Sequence, residues 1–232
     1  MRSGILRQIL SEKKSNVLQR ATTEKQREQV RSVSTIWPSD YDHVRGLCDA
    51  VSEKGFIWTL IESFSLRNNH EFEDKAFYKD YPKNQEAFTW GKFRLSLPRM
   101  TATANRSTHL RATCNFNTEE LKYRDYLRAK LNDIDVMRLN FDGCKEYEFI
   151  SIRGYNCSNC TAHFVQRDHW HAHTDSVWGP KIGCQFTSQS TGAVKSPSGE
   201  DNFGWYQTVN RVHRCTSSDD STTQWWLGVR RH

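Results

Sequence analysis

The rhythm of apolar and polar positions changes near residue 36. Before it, Ile5, Ile9, Leu10, Val17 and Leu18 fall at nearly helical spacing, and the apolar stripe then lapses until Val30 and Val33. That pattern predicts a weak helix and stops short of a coiled coil, which needs a sustained heptad. After it, Phe56–Ser65 is a run rich in β-branched and aromatic residues behind Gly55, and it predicts a buried strand. Residues 108–116 and 147–153 alternate as strands do, the second closed by Gly154, and residues 222–229 make a final strand. Residues 95–104 predict a short helix with Ser96 as N-cap and Pro98 in the first turn. The polar stretch 68–90, interrupted by Pro82, reads as a loop-rich excursion whose scattered Phe and Tyr pin it to the core. Residues 121–131 fit a helical and an alternating reading equally. From Cys157 onward the pattern is short strands between Gly, Ser, Asn and Asp clusters. The sum is an irregular α+β domain with mostly antiparallel short strands and a few helices, not a chain of βαβ units.

Composition sharpens the division at residue 36. Residues 1–35 hold eight Lys or Arg against three Glu, a local net of +5 out of +6 for the chain, while all 28 aromatic residues and all seven cysteines follow residue 36. The chain therefore reads as a basic helical or disordered arm (1–35) and a globular domain (36–232), entered through Trp37-Pro38-Ser39-Asp40, since a proline disfavours helix just before it. With 8 Trp in 232 residues the globule has an aromatic core despite a hydrophobic share of only 36%. A solvated helix or disordered leader is the leading expectation for the arm, with self-association into a homo-oligomer through it as the alternative. No nucleic-acid partner is expected, because the globule adds no basic stripe to the arm. No apolar run reaches about 18 residues, so no membrane span is expected, and the first 14 residues lack the apolar segment of a secretory signal.

Gly-rich phosphate loops, G-x-S-x-G and H-E-x-x-H are all missing, and no enzyme activity is expected. The cysteines are Cys48, Cys114, Cys144, Cys157, Cys160, Cys184 and Cys215, and an odd count leaves one over after pairing within the chain. Their wide spacing in a Trp-rich, Ser/Thr/Asn-rich domain favours disulfides and an extracellular setting. Proximity alone pairs Cys157 with Cys160, or Cys184 with Cys215, out of 15 connectivities for six cysteines. Three sequons, at Asn105, Asn156 and Asn159, agree with a secreted glycoprotein, although the last two carry Cys at the middle position.

Two constellations carry metal chemistry. Cys157-Ser-Asn-Cys160 precedes His169-Trp-His171-Ala-His173, and on a strand residues 169, 171 and 173 share a face, so thiolates from a neighbouring turn and two imidazoles could meet one zinc ion. Exposed histidines on a polar strand are the competing reading. Glu200-Asp201-Asn202, flanked by Gly199 and Gly204, clusters oxygen-bearing side chains as calcium requires, without the spacing of an EF-hand. A solvated turn explains it equally well. The adjacent Trp205 and Tyr206 are candidate ligand-binding aromatics, with core packing as the alternative.

Gly46-Leu-Cys48-Asp49, followed by Gly55-Phe-Ile-Trp58-Thr59-Leu60-Ile61, resembles the entry of fibrinogen-like C-terminal globular domains. Residues 93–96, 107–116, 200–204 and 214–226 look like a divergent branch of that family found in marine-invertebrate, especially cnidarian, proteins. The resemblance covers about residues 44 to 229. It implies a fibrinogen-like fold, a disulfide-braced extracellular scaffold, recognition of glycan or protein ligands, and Ca2+ as a cofactor. In the family the cysteine matching Cys48 pairs upstream, and no cysteine precedes Cys48 here, which makes Cys48 the candidate odd thiol. The family's calcium loop is matched only by Glu200, Asp201 and Asn202. The leading expectation is thus a secreted, lectin-like recognition domain that binds through its loops. The rival is an intracellular zinc protein built on Cys157, Cys160 and the histidines at 169, 171 and 173.

Overall fold

The computed structural model describes residues 47–138, 140–175, 178–188 and 200–231. Asp49–His232 is one compact unit, and Met1–Cys48 is a second, of which Leu47 and Cys48 are described. The arm expected over residues 1–35 and its linker at 37–40 lie outside the described residues.

The strands are β1 (Cys48–Asp49), β2 (Phe56–Ser65), β3 (Lys92–Arg94), β4 (His109–Cys114), β5 (Tyr126–Lys130), β6 (Phe141–Ile152), β7 (Tyr155–Arg167), β8 (Trp170–Asp175), β9 (Asp201–Asn202) and β10 (Thr222–Arg230). Helices among the described residues are short: α1 (Leu97–Ala104), α2 (Phe116–Glu119), α3 (Trp178–Lys181), and the 3-10 turns Leu66–Glu71 and Arg214–Thr216. The strands join into one ten-stranded sheet. From β2 its path runs β2-β10-β4-β5-β6-β7-β8-β9, antiparallel at each step, with β3 paired to Glu62–Phe64 of β2.

This overturns the expectation of an irregular α+β domain of short strands and a few helices. The reason lies in β6 and β7. They form one hairpin of 12- and 13-residue strands, and its turn, Arg153-Gly154 with φ of 54° and 90°, has the two left-handed residues that a tight hairpin requires. Asn156, Ser158 and Asn159 are exposed strand residues here, although their polarity reads as a break in the sequence. Ladder hydrogen bonds join backbone to backbone, so a solvent-facing strand tolerates polar side chains.

β2 and β10, near one end of the path, are covered on both faces. Trp225 and Trp226 are adjacent and fully buried, and they point opposite ways. Trp225 meets Phe77 and His171; these two touch each other, and His171 also meets Phe64, which stacks on Phe72. Trp226 meets Phe116 and shares the Arg111 guanidinium with Trp58, the ring centroids lying 4.6 and 4.7 Å from it. A β-bulge between Trp225 and Trp226 shifts the register against β2. Gly228 lies opposite Trp58, and a Cβ there would run into the indole and come 2.8 Å from the Ile57 carbonyl. Only glycine lets that ring lie flat on β10. The sheet also curls back on itself. His171 of β8 reaches Glu62 of β2, six places away along the path, and its backbone N–H donates to the Glu73 carbonyl.

The other sequence-based elements fall close to their positions. β2 spans the residues expected, α1 starts after Ser96 with Pro98 in its first turn, and β10 matches the last strand. The Ser96 side chain makes no cap hydrogen bond, so it fills the N-cap position by backbone shape alone. The ambiguous stretch 121–131 resolves into β5, paired between β4 and β6. Among the described residues no helix is long and apolar enough to cross a membrane.

Candidate functional site

The turn from β7 to β8 is two residues long, Asp168-His169, between the paired Arg167 and Trp170. An open cleft of about 350 Å3 lies there, lined by Asn140, Arg167, Asp168, His169 and Trp170. The four polar residues are exposed and the indole of Trp170 is half-buried. Two of them are held from behind. Arg167 places its guanidinium 5.0 Å from the Trp170 ring centroid and donates to Asp142 at 2.7 Å. Asp168 accepts from the Tyr78 hydroxyl at 3.0 Å, with Lys79 at 3.9 Å. Burial, reinforced by Asp168, pushes the Tyr78 hydroxyl up to about 12, so it stays a donor across the physiological range.

Trp170 does not stand alone. Trp205 packs beside it at 5.0 Å between centroids, and His173 lies 5.0 Å from Trp205. The short strand β9 pairs with Thr174 and Asp175 of β8, and the chain then passes close over β8 at Gly204. A Cβ on Gly204 would collide with the Ala172 carbonyl and the His171 ring, so the missing side chain is what brings Trp205 onto Trp170. Behind the cleft, Asp142 also accepts from His163 Nε2 at 2.9 Å, and the second ring nitrogen of His163 accepts from the Asp175 N–H at 3.2 Å.

The sequence-based candidates separate. Of the aromatic pair, Trp205 is half-buried at the cleft's edge, whereas Tyr206 is in the core with its hydroxyl 2.7 Å from Thr223 Oγ1. Of the zinc set, His169 is exposed at the turn, while His171 and His173 are buried. His171 bonds Glu62 and the Ala172 carbonyl; His173 is held by the His171 carbonyl, and burial lowers its pKa to about 3. Cys157 and Cys160 are bonded to each other. The five residues do not converge. Of the calcium set, Glu200 gives one carboxylate oxygen to Arg153 at 2.9 Å and the other to Asn210 at 3.0 Å, Asp201 accepts from the Thr208 N–H, and the Asn202 amide donates to the Glu200 carbonyl. A guanidinium thus occupies the position of a cation beside Glu200. Burial, with Asp175 and Glu200 nearby, raises Asp201 to about 7 even though Thr208 donates to it.

The remaining cysteines pair as Cys114–Cys215 and Cys144–Cys184, so Cys184 and Cys215 are not partners of each other. Cys48 lies outside these three disulfides and is buried. Among the described residues, one group of three metal-ligating side chains has its ligand atoms within 4.8 Å of one another: Cys114, His213 and Cys215. The sequence reading had no means to find it, because Cys114 is about a hundred residues from the other two. The cleft itself had a visible signal, a tryptophan inside the polar turn Arg-Asp-His-Trp, but the flanking histidines drew the zinc reading instead.

No family model, no curated protein and no solved structure matches the chain. The fibrinogen-like resemblance rests on the sequence runs alone.

Proposed function

We propose that the protein is a non-enzymatic recognition domain that binds glycan through the cleft at the β7–β8 turn, in an oxidising, extracellular compartment. The observation that carries this reading is the composition of the cleft. The half-buried indole, with Arg167 over its ring and Trp205 beside it, offers its remaining exposed apolar surface to the C–H side of a sugar ring, and an amide, a guanidinium, a carboxylate and an imidazole surround it to meet the ring hydroxyls. Binding sites of this kind combine an apolar platform with a few fixed polar groups. Arg167 and Asp168 are already held by Asp142 and Tyr78, so little side-chain freedom is lost when a ligand enters. The three disulfides support the compartment. The rival zinc reading at Cys157 and Cys160 has less support, since the two sulfurs are joined and two of the three histidines are engaged in the core.

A glycan array with the secreted, oxidised chain tests this directly. Binding of a defined sugar is expected, and Trp170→Ala should weaken it at least tenfold with an unchanged circular dichroism spectrum. Silence on the array, or binding to a protein partner that Trp170→Ala leaves intact, would remove the cleft from the account.

A further inference from the structure

Cys114 ends β4, and Cys215 lies in the 3-10 turn Arg214–Thr216, with His213 just before it. That turn is clamped in place. The Arg214 guanidinium donates to the carbonyls of Arg124 and Cys114 and to Glu119, and the Thr216 hydroxyl donates to the Asn210 carbonyl. All three ligating side chains are buried, His213 and Cys215 completely. His213 is anomalous. Neither of its ring nitrogens has a hydrogen-bond partner, and its ring contacts are with Phe203 and Tyr206. The Asp125 carboxylate lies 3.8 Å from Nε2, beyond hydrogen-bond reach. A buried polar group left without partners is destabilising, so an imidazole lacking both its bonds calls for an explanation.

We propose that Cys114, His213 and Cys215 are a redox-gated zinc site, a disulfide when oxidised and a two-thiolate, one-imidazole metal centre when reduced. A dithiol reductant supplies the step: two electrons and two protons convert the Cys114–Cys215 bond into two thiols while the reductant closes its own disulfide. Zinc then displaces the two thiol protons and takes one nitrogen of His213, which satisfies a ring that the oxidised form leaves without partners. Cys2His is a regular ligand set for this ion, with a fourth position remaining. The site is independent of the cleft and of whatever binds there.

The test uses the full chain. It is reduced with a dithiol, exchanged into buffer with and without one equivalent of zinc, and pulsed with an alkylating agent; peptide mass spectrometry then reads each cysteine. Zinc is expected to slow alkylation of Cys114 and Cys215 at least tenfold and to leave Cys157 and Cys160 unprotected, with one zinc retained per reduced chain and none per oxidised chain. His213→Gln should abolish the protection. Zinc protection at Cys157 and Cys160 or at Cys144 and Cys184 instead would overturn the proposal, as would no retained zinc, equal retention by the oxidised chain, or full protection in His213→Gln. Should that variant fail to fold, the wild-type protection map decides alone.

Discussion

Arg111 and Asp201 show how differently single buried charges are handled. Arg111 is fully buried between Trp58 and Trp226, yet its guanidinium reaches Asp49 at 2.7 Å and Glu53 at 3.4 Å. Burial by itself would raise the Asp49 carboxyl, but Arg111 and the Ser52 hydrogen bonds outweigh it and hold Asp49 below its ordinary value. Removing the cation leaves the buried Asp49 without its guanidinium, while Glu53 keeps Arg128 and the Tyr126 hydroxyl, so Arg111→Met is expected to lower stability by about 3 kcal/mol, read from urea unfolding. Asp201, by contrast, is raised to about 7. A carboxylate whose folded value exceeds its unfolded value binds a proton more tightly in the native state, so stability falls as pH rises from about 4 through 7. His173 works in the other direction. Lowered to about 3, it binds protons less well when folded, and stability is lost as pH falls from about 6.5 toward 3. Asp201→Asn should therefore flatten the alkaline side of the stability profile, gaining roughly a few kcal/mol over the wild type at about pH 8 and almost nothing at about pH 4. Equal gains at both pH values would show that the carboxylate's charge is not the cause. None of this is legible in the sequence, where Arg111 is one cation among 33 and Asp201 reads as a calcium ligand.

Among the elements, β2 and β10 were legible because a strand buried on both faces is a nearly continuous apolar run, and α1 because proline marks a first turn. Of the β6–β7 hairpin only residues 147–153 were legible; residues 141–146 and the exposed first half of β7 were not, since backbone pairing holds them and their side chains carry no apolar alternation. β5 was equally illegible: five residues fit either period until β4 and β6 supply partners on both sides. The β10 contact with Trp58 gives a direct check. Gly228→Ala puts a methyl group against the Trp58 ring and the Ile57 carbonyl, and overpacking of this kind should cost about 1–3 kcal/mol in urea unfolding. An unchanged midpoint would mean that β2 and β10 separate easily, against the burial of both.

For the molecule as a whole, the disulfides tie together segments far apart in the chain. Cys114–Cys215 spans 101 residues and Cys144–Cys184 spans 40. By loop entropy the longer link contributes about 5 kcal/mol, so Cys114→Ser/Cys215→Ser in the oxidised chain should lower the urea midpoint more than Cys157→Ser/Cys160→Ser, whose loop is three residues. Equal effects would place the stabilisation in local packing. Whatever depends on neighbouring residues could be read along the chain: an aromatic core, the buried strands β2 and β10, a helix start, and a cysteine set suited to pairing. Folding was needed for whatever depends on distant residues meeting. It made the polar hairpin part of a ten-stranded sheet, turned Tyr206 inward, left Trp170 at a cleft, and sent His171 to Glu62 and not to a metal. It also set His213 beside Cys114. Pairwise proximity between residues a hundred positions apart leaves no periodicity in a sequence, and at those positions only the folded chain specifies the chemistry.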